Sequence, residues 1–350
     1  MMNAWFSDSH RLHTGLKEFS YGELLDGFEL PLRAEAVRQR FVELNLGRVC
    51  TPPDAGLAPI AAVHGAPYLA FLQRAWSMWS ALGRQHPALP MIWRAGATLP
   101  TRLPAHIDGQ LGYFAQDAEC SFVEGTWAAV YGSAMCAVAA ADDLRSGAST
   151  SFAICRPPGH HATADAMGGF CYLNNVAIAA QRLIDSGLQR VAIVDVDYHH
   201  GNGTQSIFWQ RGDVFFASLH ADPHDDYPFF AGHADEIGFG AGLNHNLNLP
   251  LPPGTTAVNW LAAFDVALAR VASFQPQALL VSLGVDTFER DPISAFKLHT
   301  GDYPQIGQRL AALRLPTAYV FEGGYATAEV GVNAVGVLQG HLGGALVSAV

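Results

Sequence analysis

Residues 191–204 read VAIVDVDYHHGNGT, and this stretch decides the fold. The run 191–196 has the length and β-branched content of a strand, and glycine and polar residues close it off. Similar runs recur at 151–155, 214–219, 278–283 and 317–321. Between several of them lie stretches with apolar residues at helical spacing, at 174–186, 256–273 and 302–313. Alternating strands and helices imply an α/β single domain: a mainly parallel β-sheet flanked by helices on both faces. No Pro/Ser-rich linker, repeat or low-complexity tract divides residues 1–350, so one domain is expected. Residues 85–113, rich in Pro and Gly, are the expected loop insertion.

In such sheets, ligands gather beyond the carboxyl ends of the strands. The polar segments do follow the apolar runs, at 156–170, 197–205, 220–230, 285–298 and 322–325. Asp195, Asp197 and His199 alternate, so all three face one way if the strand persists. Asp286 follows ALLVSLGV and should emerge at the same edge. Taken singly, an acid at a strand end commonly caps a turn. Together, two carboxylates and an imidazole leave coordination positions open, which suits a catalytic metal site. RPPGHHATADAMGGF sets His160 beside His161, a candidate proton-transfer pair. Pairing one ring with Asp195 and the other with Asn202 would separate their pKa values. FEGGY places Tyr325 after two glycines, with a hydroxyl able to donate to a developing oxyanion.

Composition narrows the classes further. Lys+Arg total 20 against 31 Asp+Glu, a net charge of −11, and Lys17 and Lys297 are the only lysines. A nucleic-acid partner lacks its electrostatic footprint, whereas a cationic small molecule is compatible. Cys50, Cys120, Cys136, Cys155 and Cys171 form no C-x-x-C pair and are expected as free thiols in a reducing compartment. The start, MMNAWFSDSHRLH, lacks the apolar segment of an export signal. The run 127–141 is shorter than the ~20 residues of a membrane span and reads as a buried helix. A cytoplasmic protein without membrane contact is expected. GFGAG at 238–242 lacks the strand and helix of a dinucleotide loop, and no G-x-S-x-G elbow is present.

Together, RPPGHH, DVDYHHGNGT, SLGVD and EGGY resemble the histone deacetylase superfamily, whose fold is the arginase-like α/β sheet. SDSHRLHTGLKEFSYGEL, HIDGQLGYFAQDAE, GDVFFASLHADP and SLGVDTFERDPISAFKL resemble, more narrowly, the bacterial acetylpolyamine amidohydrolases across nearly the whole chain. The resemblance implies one Zn2+ per subunit on Asp197, His199 and Asp286, with Fe2+, Co2+ or Mn2+ also suited to those donors. It implies His160 and His161 as the tandem histidines and Tyr325 as the transition-state tyrosine. Ser218 and Leu219 match positions that bind a structural K+, together with Asp195, Asp197 and His199. Glu18, Asp108 and Glu119 match acids near a cationic substrate. Gly169, Phe170 and Tyr227 match the channel wall, where Tyr227 stands at a position that is commonly Phe. The insertion at 85–113 matches the segment that builds a homodimer.

The resemblance thus implies hydrolysis of an acetylated polyamine, of the acetylputrescine or acetylcadaverine type, to acetate and free amine. The alternative is an acetyl-lysine deacetylase acting on proteins or peptides, which needs an open rim. A silent binding protein would have no use for the His pair and Tyr325. A binuclear manganese ureohydrolase would need further Asp and His ligands.

Overall fold

The computed structural model describes residues 2–20, 22–93 and 102–347. Among the described residues the strands are β1 (Met2–Trp5), β2 (Lys17–Ser20), β3 (Glu23–Asp26), β4 (Gly47–Cys50), β5 (Thr150–Ala153), β6 (Val191–Asp195), β7 (Val214–Ala221), β8 (Asn246–Leu251), β9 (Ala278–Leu283) and β10 (Thr317–Phe321). Eight of them make one sheet in the order β4-β1-β5-β10-β9-β6-β7-β8, and β2 pairs with β3 in a separate antiparallel hairpin. Every pairing in the large sheet is parallel.

Burial on both faces explains why β9, ALLVSL, is apolar at every position but Ser282. On one face, Phe152, Tyr319, Val281, Val194 and Ala217 stand in register and pack under helices Pro31–Glu43, Ala257–Phe274, Tyr303–Ala312 and Val330–Val347. On the other, Ala153, Val320, Leu280 and Ile193 meet helices Thr126–Arg145 and Asn175–Asp185. Helix Ala257–Phe274 is long and apolar enough to cross a bilayer by length and composition alone. Here Trp260, Phe264, Ala267 and Val271 seat it on the sheet, at the three- and four-residue spacing of a buried helix face. A third apolar cluster, with Tyr68, Phe71, Phe114 and Phe122, fills the N-terminal excursion beside the sheet. Residues 94–101 of the expected insertion lie outside the described residues; those that follow include helix Ile107–Tyr113.

One expectation is corrected. The strand carrying the ligands does not persist to His199, because β6 ends at Asp195. Beyond it the chain turns: the Asp197 amide donates to Asp195 Oδ1 (3.1 Å) and the His199 amide to Asp197 Oδ1 (2.9 Å). Aspartate side chains thus shape the backbone that presents the next side chain.

Candidate active site

The strands β5, β10, β9 and β6 are neighbours in the sheet, so the loops leaving their carboxyl ends converge. From β6 come Asp195, Asp197 and His199; from β9, Asp286; from β10, Glu322 and Tyr325; and from β5, His160 and His161.

One donor atom each from Asp197, His199 and Asp286 lies within 4.8 Å of the others, and all three residues are buried. His199 Nδ1 stands 3.2 Å from Asp286 Oδ2 and 3.4 Å from Asp197 Oδ1. The outer oxygens are already committed: Gly323 N donates to Asp197 Oδ2 (2.8 Å) and Tyr198 N to Asp286 Oδ1 (2.8 Å). The backbone comes this close only because side chains are missing. A Cβ on Gly284 would sit 2.0 Å from Asp197 Oδ2, and one on Gly323 2.4 Å from Asp286 Oδ2. Burial and the neighbouring Asp197 charge push Asp286 up to about 7. Two buried carboxylates meeting an imidazole, with their far oxygens tied down, fit a divalent cation. Three protein donors leave room for a water and a substrate oxygen.

The tandem histidines sit in unlike surroundings. His160 Nδ1 lies 3.0 Å from Asp195 Oδ2; against burial, the Asp197 and Asp195 charges raise it to about 10. His161 Nδ1 lies 2.7 Å from Asn202 Oδ1. Burial first, then the nearby His160 and His199, lower His161 well below the usual histidine range. One ring therefore stays cationic and the other stays a base. Because the Asn202 oxygen only accepts, it fixes the proton of His161 on Nδ1 and leaves Nε2 with its lone pair.

Tyr325 is held from three sides. Its amide donates to Asp291 Oδ2 (2.6 Å), its ring packs 5.6 Å from that of Phe170, and the Arg33 guanidinium lies 4.4 Å from its ring centre. Burial pushes the phenol well above its ordinary range, so the hydroxyl remains a donor.

These groups open into a cavity of about 310 Å³ whose lining includes Glu18, Glu119, Gly169, Phe170, Tyr227 and Tyr325. Burial, then Asp117 and Glu18, push Glu119 up to about 8, and burial also raises Glu18. Two uncomfortable acids in one cavity attract a cation. Asp108 is the expected substrate acid that the protomer does not bring to this cavity. Arg84 donates to both its oxygens at the start of helix Ile107–Tyr113. Ser218 stands in register beside Asp195, with Leu219 following, and its hydroxyl contacts His220 Nδ1 at 2.7 Å.

Phe19 and Phe28 also line the cavity from the β2–β3 hairpin and its exit, which sequence reasoning missed. The usable signal was Gly22 standing between two short runs that carry Phe19 and the Leu24–Leu25 pair. Arg33 and Asp291, which hold Tyr325, were missed as well, and nothing local marks either as part of a site.

The fold and this constellation define a class: a parallel-sheet α/β hydrolase with an open Asp/His/Asp metal site, a histidine pair and a tyrosine donor. Residues 28–340 match the histone deacetylase domain, and the chain belongs to that metal-dependent family. It is 49% identical over 347 residues to acetylpolyamine amidohydrolase 1 of Pseudomonas aeruginosa, covering 97% of this chain and 99% of the relative. The acetylpolyamine amidohydrolase of Mycoplana ramosa is 46% identical, covering 98% of this chain and all of that protein. The crystal structure of acetylpolyamine aminohydrolase from Burkholderia pseudomallei superposes with a TM-score of 0.92 at 40% identity, covering 97% and 98% of the two chains. The HDA15 HD domain superposes with a TM-score of 0.80 at 25% identity, covering 98% and 88%.

Proposed function

We propose that this chain hydrolyses the acetyl amide of acetylated polyamines, releasing acetate and the free amine. The observation that carries the reading is a cavity joining the Asp197, His199 and Asp286 cluster to a pair of strained acids, Glu18 and Glu119. Relatives of nearly full-length similarity that carry the acetylpolyamine amidohydrolase name support it.

Asp197, His199 and Asp286 would hold one divalent ion, for which Zn2+ is the best match and Fe2+, Co2+ or Mn2+ are alternatives. Bound there, it supplies Lewis acidity toward the acetyl carbonyl and lowers the pKa of water. His161 Nε2 takes the proton of the attacking water and hands it to the departing amine. The Tyr325 hydroxyl donates to the oxygen on which negative charge develops. His160 keeps its proton beside Asp195 and stabilises that charge. Phe170 and Tyr227 enclose the aliphatic chain, and Glu18 and Glu119 face its cationic end. Asp195, Ser218 and Leu219 would bind a structural K+, a reading supported by the register of β6 and β7. A homodimer through the insertion is supported by Met91, Ile92 and Trp93, all exposed on that excursion.

A panel of acetylputrescine, acetylcadaverine and an acetyl-lysine peptide, assayed with zinc-loaded protein, tests the reading. Higher kcat/KM on the diamines is expected; preference for the peptide overturns it.

A further inference from the structure

Asp117 stands on the loop that follows helix Ile107–Tyr113, half-buried and outside the cavity lining. Its carboxylate nevertheless serves three segments of that lining. Oδ2 accepts the Tyr227 hydroxyl (2.6 Å) and the Gly169 amide (2.9 Å), and Oδ1 accepts the Glu119 amide (2.9 Å). Gly169, Glu119 and Tyr227 all line the cavity, as does Phe170 next in the chain.

The loop beneath Asp117 is itself anchored. Gln116 N donates to Met167 O (2.8 Å) and Met167 N to Phe114 O (2.8 Å), while Gln116 Nε2 donates to His161 O (2.8 Å). Phe170 has a φ of +64°, an unfavourable conformation for an aromatic residue, and the amide before it is one that Asp117 holds. The Tyr227 ring stands edge-on to His161 at 4.9 Å, so its tilt also sets the space beside the base.

We propose that Asp117 is a specificity-determining positioning residue: one carboxylate that holds Tyr227, the Phe170 turn and Glu119 in fixed relation, making a slot for unbranched acetylated amines. The inference rests on the amide-hydrolysis reading of the same cavity. The Tyr227 hydroxyl is thus the outward handle of a wall whose ring does the contacting. Freed from Asp117, that ring can rotate, the slot widens, and a substituent beside the acetamide is no longer rejected.

The test measures KM and kcat of zinc-loaded wild type, Tyr227→Phe, Asp117→Asn and the double variant. Substrates are acetylputrescine and an analogue carrying a methyl branch on the carbon next to the acetylated nitrogen. Tyr227→Phe removes only the hydroxyl, so it tests the clamp without emptying the slot. An increase in KM for acetylputrescine of about fivefold to tenfold, with a smaller change in kcat, is expected from loss of a charge-assisted hydrogen bond. The linear-over-branched preference should shrink by a similar factor, and Tyr227→Phe should add little in the Asp117→Asn background. Unchanged KM and preference in Tyr227→Phe would overturn the proposal, as would full additivity in the double variant. If wild type instead prefers the peptide, the polyamine reading fails, while the linear-to-branched ratio and the double-variant comparison still report on the clamp.

Discussion

Arg33 offers the sharpest prediction, because its guanidinium connects the folded core to Tyr325, the proposed oxyanion donor. It is fully buried in helix Pro31–Glu43. Nε donates to Gly324 O (2.6 Å), Nη2 to Glu322 O (2.5 Å) and Nη1 to Glu29 Oε1 (2.7 Å), beneath the Tyr325 ring. Arg156 Nε lies 2.9 Å from the same Glu29 oxygen. Arg33→Met therefore leaves a balanced Arg156–Glu29 pair but strips the donors from two carbonyls in the Tyr325 loop. Two orphaned buried acceptors cost about 1–3 kcal/mol each, partly offset by no longer burying a cation, for a net loss of roughly 2–4 kcal/mol. For 350 residues at about 2.1 cal/mol/K per residue, that lowers Tm by about 3–5 °C. A tyrosine held loosely should also cost roughly 10- to 100-fold in kcat, approaching loss of one oxyanion donor. Calorimetry and steady-state kinetics on the zinc-loaded variant read both quantities. Glu29→Gln is the control: it strands two guanidiniums and should destabilise more, yet affect kcat less, because Arg33 keeps its bonds to Gly324 and Glu322. A normal kcat in Arg33→Met at the predicted Tm would refute the link to Tyr325.

Tyr325→Phe should lower kcat by about 100-fold or more while metal content, measured by elemental analysis, stays at the wild-type level; retained turnover would remove the oxyanion role. Glu119, pushed up to about 8, is largely protonated at neutral pH, so KM for a cationic substrate should fall between pH 7 and 8.5 and lose that dependence in Glu119→Gln. Acid should unfold the protein through its neutral buried histidines: burial lowers His64 and His220 to about 4 and His13 to about 3. These folded values lie below the unfolded value of about 6.5, so the unfolded chain gains protons first as pH falls. Stability is then intact above pH ~6.5 and is lost progressively down to pH ~4, with His64 alone contributing roughly 3 kcal/mol. A denaturation midpoint that does not move between pH 7.5 and 5 would contradict this.

How much of this was legible follows from what each residue had to do. β9 and β10 were readable to the residue, because a strand buried on both faces is apolar at nearly every position and Gly284 and Glu322 end the runs abruptly. β1 and the edge strand β4 were not, since MNAW alternates in burial, GRVC is nowhere fully buried, and both are too short to stand out against the flanking sequence. Helix Pro31–Glu43 was hidden for another reason: one of the positions on its buried face is Arg33, a charge where periodicity looks for an apolar residue. The chemistry-bearing side chains stood out because Asp, His and Tyr at strand ends are locally conspicuous. Asp117 did not, since its role exists only once Gly169 and Tyr227, far along the chain, fold against it.

The charges of the site also divide in a way that matches an acetylated diamine. In the depth of the cavity, Asp195, Asp197 and Asp286 face two raised imidazoles, His160 and His199, and Glu322 is pushed up to about 8 by its own burial, which keeps it mostly protonated. An ion held by His199 would take the place of that ring's proton, and three carboxylates against the remaining His160 imidazolium leave an excess that a single divalent ion would cancel, so the loaded inner site would exert little pull on a free ammonium. Glu18 and Glu119 are different: no arginine or lysine pairs with either among the described residues, and Glu119 is raised partly by the acids around it. No basic side chain among the described residues pairs with them and Glu119 is left holding a proton at neutral pH, so a ligand's ammonium is the cation that can take that proton's place. A substrate with a neutral acetamide at one end and an ammonium at the other can satisfy both ends only in one orientation, with the amide inward. The free diamine product carries charge at both ends, and its newly formed ammonium meets an inner site that is already balanced. Burial in a low-dielectric site then favours its release, which ties turnover to the same charge division that selects the substrate.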